Sequence, residues 1–146
     1  MYTADYSEIR HQQKADVALA EARHLFDVEF YDGAVSRATS SSLQTVRAVI
    51  AMIGQPTDPK EMPTCVRTMV KDQRLPEGMD KVFAAIMKVR SEVDEGSNPM
   101  TKERAEQAMA AAARFSTVIK SAAAVNRSKN SPEVLAAVAS RRQGSR

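Results

Sequence analysis

The chain has 146 residues, of which 43% are hydrophobic and 27% charged, so it is long enough to form one domain with a buried core. Only 5% of the residues are aromatic, Trp is absent, and there are 5 Gly and 6 Pro, which argues against a β-sandwich or barrel. The 21 basic and 18 acidic residues nearly balance, so the net charge of +3 does not by itself indicate nucleic-acid binding. We therefore expect an all-α protein.

The cellular compartment is predicted from the cysteine content and from the lack of long apolar stretches. Cys65 is the only cysteine, so no intrachain disulfide can form, which agrees with a reducing compartment. No apolar stretch approaches the roughly 20 residues that span a bilayer, and the N-terminus lacks the apolar segment of a signal peptide. A cytoplasmic protein is expected. The sequence shows neither metal-ligand spacing nor a Gly-rich phosphate loop, so no metal or cofactor is predicted.

The first two helices are predicted from small apolar residues at helical spacing. Such residues recur between 15 and 25 and predict a helix over 5–27. A break at 30–33 follows, where Asp32 is the expected N-cap of a second helix running to residue 53. Gly54 is expected to end this helix, and 55–59 to form a loop.

Three further helices and a tail complete the predicted organisation. A short helix is expected over 61–71, a second from Pro76 to about residue 93, and a third from an N-cap at Thr101 to about residue 125. Residues 126–146 are expected to form a flexible basic tail that could contain a short helix. The sequence thus predicts an antiparallel bundle of about five helices over 1–125, followed by this tail.

Two stripes run along the second helix. One is small and apolar and suits close packing; its members are Ala34, Ala38, Thr45, Ala48, Val49 and Met52. The other carries Arg37, Ser41 and Gln44 at positions i, i+4 and i+7, which share one face of a helix. The hydroxyl run at 39–42 suits either a tight helix crossing or a polar, phosphate-binding floor around Arg37. Both interpretations remain open, although buried hydroxyls more commonly serve packing.

The order of these segments resembles that of small HEPN-domain proteins of prokaryotes over about residues 15–125. The resemblance rests on FYDG at 30–33 before an Arg-containing helix, LPEG at 75–78, VRSEVDEG at 89–96 and TKERAEQAMAAAARF at 101–115. It implies a helical bundle that dimerises through the Arg-bearing helices. In active members it also implies a ribonuclease built on an arginine and a histidine that are separated by four to six residues.

The chain departs from that motif at its histidine. Arg37 matches the arginine, but Gln44 occupies the histidine position. Thr39-Ser40 replaces an aromatic pair that lies between the two in the family. Asp94-Glu95 stands at a later corner where the family has an acidic residue followed by an aromatic one. Metal-independent RNA cleavage needs a group that exchanges protons near neutral pH, which histidine does and glutamine does not. Glutamine can still hydrogen-bond a phosphate or a base, and arginine can bind phosphate through two N–H groups.

We therefore predict a HEPN-like component of a toxin–antitoxin or defence system that is not an ordinary catalyst. It would bind RNA, a nucleotide or a partner protein of the nucleotidyltransferase type through Arg37, Ser41 and Gln44. A homodimer is expected, with its twofold axis beside these three residues. The alternatives are a metal-independent ribonuclease with an unrecognised general base and a purely structural bundle.

The two histidines are the alternatives for the missing general base. His24 is a secondary candidate, but it lies roughly 100° or more from the apolar stripe of the first helix and is expected to point outward. His11 lies on that stripe near the N-terminal end, where a surface or core-edge histidine is expected.

Overall fold

The computed structural model describes residues 6–53, 58 and 60–129. In those ranges it contains five helices: α1 (Tyr6–Asp27), α2 (Tyr31–Met52), α3 (Met62–Lys71), α4 (Met79–Glu95) and α5 (Lys102–Lys129). The described residues include no strand, which confirms the predicted all-α bundle. Gly54 lies outside them, as do most of the loop after it and the tail beyond 129, so the division into bundle and tail stays a prediction. None of the helices in these ranges is both long and apolar enough to cross a bilayer.

Helix α2 is the central element and contacts each of the other four helices. The stripe of small residues predicted for it is buried except for Met52, which is partly buried. Ala38 of α2 meets Ala22 of α1 and Ala112 of α5 in one cluster, with each alanine at most 1% exposed. Side chains of this size let three helices approach one another closely, because interiors are packed almost without voids.

The larger apolar side chains lie around the C-terminal half of α2. Phe83 of α4 and Phe115 of α5 stack with ring centroids 5.8 Å apart, and both are 1% exposed. Ile50 of α2, which is fully buried, and Met62 and Val66 of α3 belong to the same core cluster. This cluster joins α2, α3, α4 and α5 into a single unit.

The buried hydroxyls of α2 serve packing, and two of them join α2 to its neighbours. Thr39 donates to the Val35 carbonyl oxygen, and Thr45 to that of Ser41, within their own helix. Ser41 instead donates to the Ala15 carbonyl oxygen of α1 at 2.7 Å, and Ser42 to the Ala112 carbonyl oxygen of α5 at 3.4 Å. The hydroxyl run therefore satisfies buried polar groups across a tight three-helix crossing.

The predicted N-cap at Asp32 is wrong. Helix α2 begins at Tyr31, so the capping position is two residues earlier and belongs to Phe30, whose side chain makes no capping hydrogen bond. The Asp32 carboxylate accepts a hydrogen bond from the Met100 backbone N–H at 2.7 Å. The carboxylate is therefore bonded to Met100, which is distant in sequence, and does not cap α2.

Two other helix boundaries differ from the sequence prediction by three or four residues. Helix α4 begins at Met79 rather than Pro76, because Gly78 at its N-cap adopts a left-handed backbone with φ of 88°. Helix α5 continues four residues past the predicted end at residue 125, to Lys129. The cap predicted at Thr101 is confirmed, since its Oγ1 accepts the Arg104 backbone N–H at 3.2 Å.

Candidate functional site

One face of α2 is left partly open by the other helices. Its half-buried residues recur every three or four positions, and we call them the α2 stripe: Gly33, Ser36, Arg37, Ser40, Leu43, Gln44 and Arg47. On one side the stripe borders α1, where Arg37 pairs with Glu21. On the other it borders α4, where the Ser36 hydroxyl donates to the Asp94 carboxylate at 3.2 Å. Among the residues that the structure describes, the stripe is therefore a surface of the central helix that a ligand or partner can reach.

A groove of about 470 Å³ runs between α1 and α2 along this stripe. We call it the α1–α2 groove, and its lining residues are Arg10, Gln13, Lys14, Val17, Ala18, Arg37, Ser40 and Gln44. Three of these residues are basic and none is acidic. A concave surface lined by charges of one sign concentrates oppositely charged ligands, so this groove favours anions.

Arg37 lies in the groove with one acidic neighbour. Its Nε is 2.7 Å from Glu21 Oε2, and the two side chains are 41% and 47% exposed. The contact is an ion pair rather than an aligned hydrogen bond, because the buried Nε–H has no acceptor in line with it. Ion pairs exposed to this extent contribute little to stability. The guanidinium can therefore exchange the carboxylate for a phosphate at small cost.

Gln44 contacts a histidine of α1. The distance from His11 Nδ1 to Gln44 Oε1 is 2.8 Å, in a partly buried position. Because an amide oxygen only accepts hydrogen bonds, Nδ1 carries the proton and donates to it. The structure thus places an imidazole against the residue that the resemblance puts at the histidine position of the motif. The sequence interpretation expected a surface or core-edge histidine at His11 and missed this contact. The feature of the sequence that could have predicted this contact is the hairpin of α1 and α2. A short turn between antiparallel helices brings residues near 11 opposite residues near 44.

The predicted trio of site residues does not share one surface. Arg37 and Gln44 line the groove together, as their spacing predicted. Ser41 is 3% exposed and faces α1, where its hydroxyl is bonded to the Ala15 carbonyl oxygen. Ser40 lines the groove instead, because successive helix residues are rotated by about 100° and α1 covers the Ser41 side of α2.

The remaining candidates lie outside the groove. His24 is exposed, as predicted, and does not line the groove.

Arg47 is a residue that the sequence interpretation did not single out. It follows Gln44 by three residues on the α2 stripe, and its Nε is buried without a hydrogen-bond partner. In the part of the chain that the structure describes, no group of three or more His, Cys, Asp or Glu side chains could hold a metal ion.

Comparison with known proteins identifies the family. The family model of the HEPN domain matches residues 10–122, which is more than half of the chain. The match contains the whole groove, from Arg10 on α1 to Gln44 on α2, and extends to the C-terminal part of α5. A search of curated proteins found no match. The order of helices and the extent of the family match agree, and the chain belongs to the HEPN-domain family.

Proposed function

We propose that the protein binds RNA by holding backbone phosphates in the α1–α2 groove, with Arg37 as the principal contact. The observation that carries this proposal is the lining of the groove, in which Arg10, Lys14 and Arg37 occur without an acidic residue. Arg10 and Lys14 are one turn apart on α1, so both lie on its groove side. Cations on both walls suit a phosphate chain that runs along the groove.

The biological setting that we propose is a toxin–antitoxin or defence system. HEPN domains occur in toxin, defence and RNase-like proteins, and this chain carries such a domain. A nucleotide, or a partner protein of the nucleotidyltransferase type, is the other occupant that the resemblance implies for the Arg37 surface. We propose a cytoplasmic location for the system.

Replacing Arg37 with alanine tests the proposed binding. We expect the affinity for a single-stranded RNA to fall about 10- to 100-fold, because a hydrogen bond to a charged group contributes roughly 1.5–3 kcal/mol. Fluorescence anisotropy with a labelled oligonucleotide measures this loss. Arg114→Ala is the matched control, since Arg114 is an exposed arginine of α5 that does not line the groove. Equal losses in both variants, or no binding by the wild type, would contradict the proposal.

We also propose that the protein is a homodimer whose twofold axis lies beside the α2 stripe. HEPN domains often dimerise, and the small side chains of Gly33, Ser36 and Ser40 allow a second helix to approach. Because α1 covers Ser41, that residue is not part of the proposed interface. A twofold axis here places two grooves side by side.

Light scattering at micromolar concentration is expected to show a particle of twice 16.0 kDa. Ser40→Glu is expected to convert it to monomer, because the axis brings two copies of the new charge together without partners. Ser121→Glu, on the exposed face of α5, is the control and is expected to remain dimeric. A wild-type monomer, or a dimer unaffected by Ser40→Glu, would rule out this interface.

A ribonuclease is the second candidate function. The observation that favours it is the contact between His11 and Gln44, which supplies an imidazole that the motif position lacks. A purely structural bundle remains the outcome if the wild-type protein neither binds nor cleaves RNA.

A further inference from the structure

We propose that residues 131–142 of the same chain pack into a second groove of the bundle, which is formed by α1, α2 and α5 and which we call the α1–α5 groove. This groove shares only Gln13 with the α1–α2 groove, and none of the cations Arg10, Lys14 and Arg37 lines it. The inference is therefore independent of the proposed binding of RNA. It is carried by the apolar lining of the groove, by its position beside the end of α5, and by the sequence of the segment.

The α1–α5 groove is a largely apolar depression of about 520 Å³. Its apolar lining residues are Ile9, Ala48, Val49, Met52, Ala123 and Ala124. Ala48 and Val49 of α2 are buried, whereas Ile9 of α1 is 45% exposed. An exposed isoleucine beside buried apolar residues leaves water in contact with surface that an apolar partner can cover, and such covering is favourable.

The groove lies close to the end of α5. Ala123 and Ala124 line it, and the helix ends at Lys129, five residues after Ala124. Five helical residues correspond to about 8 Å along the axis. Residues 130–146 follow in the sequence, so the proposed segment starts beside the groove. A turn of two residues, Asn130 and Ser131, is enough to direct the chain back along α5, because antiparallel helices are commonly joined by two to five residues.

The sequence of the segment suits an apolar groove. Ser131 and Pro132 are typical of an N-cap and a first helical position. In a helix that starts there, Val134, Leu135 and Val138 share one face at positions i, i+1 and i+4. A helix of about 12 residues is only marginally stable alone in water and needs its apolar face covered. The exposed apolar lining of the groove provides that cover within the same chain.

The lengths of the two elements agree with antiparallel packing. Each helical residue advances about 1.5 Å, so Val138 lies about 9 Å from Pro132. By the same measure Ala124 lies about 8 Å before Lys129. Val138 therefore comes level with the alanines of α5 that line the groove.

The charge at the far end of the segment also finds an opposite partner. Arg142 lies about 15 Å from Pro132, which brings it level with Lys120 of α5. The Lys120 Nζ is 3.3 Å from Oδ1 of Asp16 on α1, and the Asp16 side chain is 63% exposed. An exposed carboxylate thus stands where the basic end of the segment arrives, and this favours the antiparallel orientation.

Packing of the segment in this groove ties α1 to α5. In the described part of the chain α1 packs mainly on α2 and makes few contacts with α5. The ion pair between Asp16 and Lys120 joins them, but ion pairs exposed to this extent contribute little. Apolar contacts from the segment to both helices therefore hold the N-terminal half of α1 against the bundle.

A disulfide tests whether the segment lies in the groove. Ile9→Cys together with Val138→Cys, in a Cys65→Ala background, is expected to form an intrachain disulfide under mild oxidation, because the two side chains come into contact. The control pairs Val138→Cys with Val17→Cys. Val17 is a 55% exposed residue of the same helix that lines the α1–α2 groove instead, so this pair is expected to stay reduced. Mass spectrometry of the unreduced protein identifies the bond.

Each other outcome of the disulfide test overturns the proposal. A disulfide between two chains would assign the groove to a second copy. Equal reaction of both cysteine pairs would mean that the segment moves freely over the surface. No reaction of the Ile9→Cys pair would leave the groove to another occupant.

A double-mutant cycle tests the contact without cysteines. Val138→Asp is expected to lower the thermal midpoint by about 3–8 °C, because it removes an apolar side chain from the groove. Ala136→Asp, on the opposite face of the expected helix, is the control and is expected to change the midpoint by no more than about 2 °C. Ile9→Asp is expected to act like Val138→Asp, and the double variant hardly more than either, since both remove the same contact. Additive shifts, or equal shifts from Val138→Asp and Ala136→Asp, would overturn the proposal.

Discussion

Replacing Phe115 with alanine is expected to lower the free energy of unfolding by about 3–5 kcal/mol, which is the usual cost of removing a buried aromatic ring. Phe115 is 1% exposed and stacks on Phe83 in the cluster that joins α2, α3, α4 and α5. Its loss leaves a cavity among four helices, and a close-packed interior fills such a cavity only in part. Thermal melts are expected to show a midpoint lower by roughly 6–20 °C.

The control for this change is the neighbouring residue on the same helix. Arg114 is exposed, so Arg114→Ala is expected to alter the free energy of unfolding by no more than about 0.5 kcal/mol. Denaturant titration of both variants gives the comparison directly. If Phe115→Ala cost less than about 1 kcal/mol, the stack of Phe83 and Phe115 would not be the centre of the core.

Replacing Gln44 with histidine is expected to have the largest effect on activity. It introduces a histidine at the position where the resemblance expects one, on the face of α2 that lines the groove with Arg37. A positioned general acid or base contributes about 10²- to 10⁴-fold, so RNA cleavage is expected to rise by a factor in that range. The new imidazole also lies beside His11, so one ring can take the 2′-hydroxyl proton while the other gives a proton to the leaving oxygen.

Two comparisons test the origin of that gain. Gln44 is half-buried, and a polar replacement there is expected to cost roughly 1 kcal/mol or less, which thermal melts can verify. Arg37→Ala in the Gln44→His background is expected to abolish cleavage, because it removes the phosphate contact. Unchanged cleavage by Gln44→His, next to an already efficient wild type, would show that position 44 does not limit the reaction.

The helices and the central place of α2 could be predicted from the sequence alone, because both depend on local chemistry. The small apolar stripe from Ala34 to Val49 predicted a tightly packed helix, and the structure buries these residues. Thr101 predicted the start of α5, since a side-chain cap is formed within one turn of the chain. The order of motifs was enough to indicate the HEPN family, and the family match confirms it.

Contacts between distant residues decided what the sequence could not. The carboxylate of Asp32 bonds to Met100 instead of capping α2. The residues near Asp32 in the sequence do not predict that partner. Helical spacing put Ser41 on the face of Arg37 and Gln44, but α1 covers that side of α2 and leaves Ser40 in the groove. The contact between His11 and Gln44 spans 33 positions and depends on the exact register of two packed helices. Periodicity determines which face of a helix is apolar, whereas only the packing of the bundle determines which polar side chains meet.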